Sequence, residues 1–83
     1  MTPYELASCM KDIMIFLRDA SYSGQIGVND LNLEHPYSQK VIKKSMESLL
    51  ANNYASGSIY EGNNESICLL DGLTPKGHNF LKG

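Results

Sequence analysis

The chain has 83 residues, 42% of them apolar, and a formal net charge of −2. A chain this short reads as one domain over residues 1–83, able to bury roughly 60% of its unfolded surface around one modest core. Its apolar content argues against disorder. The longest apolar run, Ile13–Leu17, is far too short to span a membrane. The mild acidity argues against nucleic-acid binding driven by overall charge, while leaving room for a local basic patch.

In chain order, Thr2 is suited to cap a helix and Pro3 to occupy its first position. Leu6, Cys9, Met10, Ile13, Met14, Phe16, Leu17 and Ala20 then share one wide face, which predicts a core-facing helix of about 17 residues. The opposite face carries Glu5, Ser8, Lys11, Asp12, Arg18 and Asp19, together with Tyr4 and Ile15. Ser21-Tyr-Ser-Gly24 is a run of turn formers that should end the helix. Residues 25–28 suffice only for a bridge of strand, in which Ile26 would pair at the edge of a small sheet. Asn29 or Asp30 would cap a helix of one or two turns that buries Leu31 and Leu33. Glu34-His35-Pro36 would break that helix, because a residue before proline avoids the helical region.

The stretch from Ser38 to Tyr54 dominates the middle of the chain. Val41, Ile42, Met46, Leu49 and Leu50 recur at helical spacing, with Lys40, Lys44 and Glu47 opposite and Lys43 on the edge. Ser38 caps the start, and Asn53 tolerates the left-handed conformation that a helix end needs. Residues 54–60, interrupted by Gly57, and 66–73 then read as strands around the polar tip at 61–65, which is a β-hairpin. Ile67, Leu69 and Leu73 fall on one side of the second strand, Cys68 and Leu70 on the other. Thr74-Pro75 repeats the cap-plus-proline signal and opens a short terminal helix anchored by Phe80 and Leu81.

The predicted fold class is therefore α+β: helix, short strand, short helix, long helix, β-hairpin, short C-terminal helix. That order is the order of a winged helix-turn-helix, with residues 38–53 as recognition helix and the hairpin as wing. Ser38 and the segment Leu49–Tyr54 look like the end of such a helix, with Asn53 where these proteins usually have glycine. Leu73-Thr-Pro-Lys-Gly-His-Asn-Phe-Leu81 is similar to the closing Leu-Thr-x-x-Gly-x-x-x-Leu element of many small winged-helix proteins. Over nearly its whole length the chain resembles the YjcQ-like family of small proteins from Gram-positive bacteria and their phages. The resemblance implies a winged-helix fold and a bacterial or phage origin, and no particular activity.

A recognition helix places its N-terminal half in the major groove. Here that half offers Tyr37, Ser38, Gln39, Lys40, Lys43 and Lys44 as candidate contacts to double-stranded DNA. Gln pairs with adenine, Lys with guanine or phosphate, and Ser and Tyr with phosphate. Residues 38–53 hold three Lys against one Glu, whereas residues 54–73 hold Glu61, Glu65 and Asp71 and no Lys or Arg. A wing that follows a phosphate backbone needs cations. The acidic wing therefore points to DNA binding through the helix alone, as a dimer, or to a winged-helix adaptor that binds protein instead of DNA. For the adaptor or a homodimer, the candidate surface is Tyr4, Ser8, Lys11 and Ile15, in line along the back of the first helix.

No catalytic residues are assigned, and the expected protein is not an enzyme. Cys9, His35, Cys68 and His78 lack metal-ligand spacing, no phosphate-cradling glycine loop or nucleophile motif is present, and no cofactor or small-molecule substrate is indicated. His35 and His78 should be solvated. The two cysteines read as buried thiols of a reduced, cytoplasmic protein, since the N-terminal Met-Thr-Pro-Tyr-Glu-Leu has no basic or apolar leader region.

Overall fold

A computed structural model describes residues 2–19, 25–31, 33, 35–62, 64 and 66–82. It is an α+β arrangement of three α-helices and a two-stranded antiparallel sheet. The expected turn at residues 21–24, and Ala20 at the end of the first apolar stripe, lie outside the described residues. No helix of the described residues is long and apolar enough to cross a membrane.

Helix α1 spans Pro3–Asp19. Its start is set by Thr2, whose hydroxyl accepts from the Glu5 amide at 3.1 Å. Cys9, Ile13, Met14 and Leu17 are buried, four positions of the stripe read from the sequence. Helix α2 spans Gln39–Ala51, and Ser38 caps it by accepting from the Val41 amide at 3.2 Å. Val41, Met46 and Leu49 point into the core beside Ser45, whose buried hydroxyl donates to the Val41 carbonyl at 2.8 Å. Complete burial of Ile13, Met46, Leu49 and Leu70 contributes about 1.5–3 kcal/mol per side chain.

The end of α2 follows from its asparagines. Asn53 adopts φ 62°, the left-handed conformation expected of it. The Tyr54 amide then reaches the Leu49 carbonyl and the Asn53 amide reaches Leu50, a Schellman closure. Strand β1 (Ala55–Glu61) leaves from this turn one residue later than the sequence pattern suggests, and β2 (Ser66–Leu73) returns in the predicted span. The pairing runs from Ala55↔Leu73 to Glu61↔Ser66, with a bulge between Ser56 and Gly57. Gly57 is required there: a Cβ would collide with the Leu69 carbonyl. Cys68 and Leu70 face the core, and Ile67 on the other face is exposed.

Ile26 forms the expected bridge, exchanging both backbone hydrogen bonds with Leu70. The short helix after it is corrected by the structure. Instead of one or two α-turns capped by Asn29 or Asp30, the chain makes a single 3-10 turn at Val28–Asp30. Asp30 sits inside that turn and its carboxylate accepts from the Gly27 amide at 2.9 Å. That bond closes the turn from within, and Leu31 follows in an extended conformation. Leu31 and Leu33 still pack against the core, so their burial is met without a helix.

Helix α3 spans Pro75–Lys82. The Thr74 hydroxyl accepts from the Gly77 amide at 3.1 Å and donates to the Asn53 carbonyl, which ties this helix to the end of α2. A Cβ on Gly77 would strike the Tyr54 carbonyl and the Leu73 side chain. The Leu-Thr-x-x-Gly-x-x-x-Leu spacing thus has a physical content: a cap, a close approach and a core contact from Leu81. Phe80 departs from its expected role as an anchor. It is 50% exposed and lies against the Tyr54 ring at 5.2 Å instead of entering the core.

Candidate functional site

The candidate helix-face residues divide into three groups. Ser38, Gln39, Lys40 and Lys44 are exposed. Lys40 and Lys44 are one turn apart, so their ammonium groups share one side of the N-terminal half of α2. Among the described residues neither is in an ion pair. Buried Val41, Ser45 and Leu49 hold the opposite side of the helix and fix which way this pair faces.

Tyr37 stands apart from that row. It is half-buried, and its hydroxyl donates to Asp12 Oδ2 at 2.9 Å and lies 2.9 Å from Ser8 Oγ. Desolvation and the Asp12 carboxylate both push the phenol above its ordinary range, with burial the larger cause and the Ser8 bond opposing it. The tyrosine hydroxyl therefore fastens the segment before α2 to α1. His35 joins the same carboxylate, its Nδ1 2.9 Å from Asp12 Oδ2. The ring is well exposed yet engaged, and is not the merely solvated residue that its loop position suggested. Sequence reasoning missed this group because Asp12 is 25 positions from Tyr37 and 23 from His35. Tyr37 directly precedes the Ser38 cap, so the group ties the start of α2 to α1.

Lys43 is the third case. It is half-buried on the hairpin side of α2, where it lines a cleft of about 360 Å³ together with Gly27, Asp30, Ser66, Cys68 and Leu69. Lys76, at the far end of α2, is also committed: its ammonium donates to the Asn52 carbonyl at 2.9 Å and sits 4.8 Å above the Tyr54 ring. It is too far along the helix to extend the row of Lys40 and Lys44.

The line proposed on the back of α1 is uneven. Tyr4 is 84% exposed and Lys11 is exposed, while Ser8 is engaged with Tyr37 and Ile15 is half-buried. At the outer end of the hairpin, Tyr60 and Ile67 are paired across the strands and both stand about half exposed, as does Ile59 on the other face. Cys9 and Cys68 are buried free thiols. Burial raises both above their ordinary value, with the Ser45 hydroxyl opposing the rise at Cys9 and Glu47 adding to it at Cys68. Among the described residues no three His, Cys, Asp or Glu side chains converge as a metal site.

Compared with known proteins, the chain matches no family model, no curated protein and no solved structure.

Proposed function

We propose that this protein is a small winged-helix regulator that binds double-stranded DNA through the N-terminal half of α2. The observation that carries the reading is the exposed row of Gln39, Lys40 and Lys44 on a helix whose opposite side is locked in the core. A helix held in this way presents its outer side to a major groove without reorganising. Gln39 suits an adenine edge, and the two lysines suit guanine or phosphate. The order α1, 3-10 turn, α2, hairpin, α3 agrees with a winged helix in which the second helix is reduced to a 3-10 turn. Tyr37 and Lys43 leave the set of direct contacts; Tyr37 becomes a positioning residue through Asp12.

The hairpin does not contribute cations. Glu61 and Asp71 are exposed on it, so phosphate contacts come from α2 and the affinity of one domain is low. Fluorescence anisotropy of the wild type with a pool of labelled duplexes at ~50 and ~200 mM salt tests the reading, over the range in which binding through phosphates weakens most. Binding that weakens steeply with salt supports it, and no binding at the lower salt removes it.

A second reading is a winged-helix adaptor for protein. It is favoured by the exposed Tyr4 on α1 and by Tyr60 and Ile67 at the hairpin end beside Glu61. Sedimentation equilibrium at ~100 μM, where even micromolar pairing is visible, tests its simplest form, association with a second copy.

A further inference from the structure

Asp12 is the meeting point of two segments far apart in the chain. Its side chain is only 13% exposed. One oxygen, Oδ2, accepts from the Tyr37 hydroxyl at 2.9 Å and lies 2.9 Å from His35 Nδ1. The Tyr37 hydroxyl also meets Ser8 Oγ, one turn before Asp12 on α1. His35 and Tyr37 flank Pro36, whose fixed φ restricts the segment between them. Their rings stand edge to face, 6.5 Å apart. Both side chains thus bind the segment that leads into the Ser38 cap to a single carboxylate. They differ in how they respond to protons near neutral pH. Burial raises the Tyr37 phenol and the neighbouring Cys9 thiol, so both stay neutral there. The His35 side chain is 61% exposed, so its ring exchanges protons with solvent.

We propose that His35, Asp12 and Tyr37 form a pH-sensitive clasp on the start of α2: a protonated His35 tightens the hold of α1 on this segment, and loss of that proton loosens it. Neutral imidazole can keep a hydrogen bond to Asp12 through the tautomer that carries its proton on Nδ1. Imidazolium adds a full charge facing the carboxylate, and charge-assisted bonds are about twice as strong as neutral ones. A carboxylate largely removed from water gains more from that cation than one in bulk solvent. Histidine is the side chain whose ordinary value, about 6.5, places such a change near neutral pH. The other charges around the clasp come from α1. Glu5 adds negative charge that, with Asp12, is felt at the Cys9 thiol, and Lys11, three positions from Ser8, is exposed. The folded chain therefore holds the His35 proton more firmly than the unfolded chain does. The added stability is whole below the unfolded value of about 6.5 and is lost as pH rises through the folded value. The clasp lies apart from the exposed row of Lys40 and Lys44, so it stands whether or not α2 holds DNA.

The test is an NMR titration of the ¹⁵N-labelled protein from about pH 5 to about pH 8.5, on either side of the ordinary histidine value. It follows the His35 ring and the amides of Ser38, Gln39 and Val41. The expected result is that these amides shift with the same midpoint as the ring. Asp12→Asn keeps an acceptor for the Tyr37 hydroxyl and removes the charge. In that variant the His35 midpoint should fall and the amides should no longer follow it. Urea unfolding gives a second readout. The wild type should need less urea for half-unfolding at about pH 8 than at about pH 6, a range that crosses the histidine value and stays below the thiols. His35→Gln, at an exposed side chain, should remove this difference, and His78→Gln, at an exposed position on α3, should keep it. The proposal is overturned if the α2 amides do not follow the His35 ring, or if the ring titrates alike in the wild type and in Asp12→Asn. It is also overturned if His35→Gln keeps the wild-type dependence of unfolding on pH.

Discussion

Tyr37 and Asp12, 25 positions apart, are joined by a hydrogen bond of 2.9 Å in which the tyrosine hydroxyl donates to the carboxylate. This bond links the middle of α1 to the residue just before the Ser38 cap, so it bears on stability and on the orientation of α2 together. Tyr37→Phe keeps the ring and removes the hydroxyl. It should lower stability by about 1.5–3 kcal/mol, the range of a hydrogen bond to a charged group. Urea unfolding measures the loss. An unchanged midpoint would mean that the bond contributes nothing beyond what water supplies.

Stability should fall in alkali. Burial raises the Cys9 and Cys68 thiols above 9.0 and the Tyr37 phenol above 10.0. Each folded group then holds its proton at a pH where the unfolded chain has begun to lose it, so unfolding gains favour as pH rises. The contribution is whole below pH 9, declines first through the thiols and then through the phenol, and is lost once the raised folded values are passed. Urea midpoints taken at pH 7.5, 9.0 and 10.0 should decrease in that order. Cys9→Ala with Cys68→Ala should flatten the first part of the slope although the variant is less stable at neutral pH.

Asn53→Ala should cost about 1 kcal/mol, because a Cβ without a local polar partner is disfavoured at the φ of 62° that the Schellman closure imposes. Asn53→Gly should be neutral or slightly stabilising, since glycine reaches that conformation freely. Thermal unfolding of the two variants side by side separates backbone strain from loss of the side chain. Equal losses in both would place the contribution in the amide group instead.

Gly77→Ala should destabilise by about 1–3 kcal/mol, the usual range of overpacking. Its Cβ meets the Leu73 side chain and the Tyr54 carbonyl, and the carbonyl is backbone that cannot swing aside as a side chain can. The position lies at the base of the hairpin, so exchange should quicken at the Thr74 amide, which donates to the Tyr54 carbonyl at 3.1 Å. A variant as stable as the wild type would show that α3 can shift outward without loss.

Lys40→Ala with Lys44→Ala should weaken duplex DNA binding and reduce the salt slope by up to ~2 units, about one for each phosphate no longer neutralised. Both side chains are exposed, so folding should be unaffected. The matching change at Lys76 serves as control, because its ammonium is bound at the other end of α2. Equal effects from the double variant and from Lys76→Ala would point to general charge rather than to the helix row.

Local signals carried most of the secondary structure. Thr2 and Ser38 cap their helices through hydroxyls three residues from the amides they serve, and Asn53 reverses the chain by its own conformational freedom. Each of these acts within a few residues, so each was legible in the order of amino acids. The hairpin was legible for the same reason, as alternation interrupted by a polar tip. The 3-10 turn was not, because Asp30 reads as a cap before a helix and acts instead inside the turn, on Gly27. The candidate sites were legible only as residue types. Lys40, Lys43 and Lys44 are alike in sequence, and packing of α2 against α1 and the hairpin leaves two in solvent and sets the third in a cleft. The ties of Tyr37 and His35 to Asp12 depend on segments that meet only in three dimensions. A helix period says which residues share a face; what that face meets is decided by the rest of the fold.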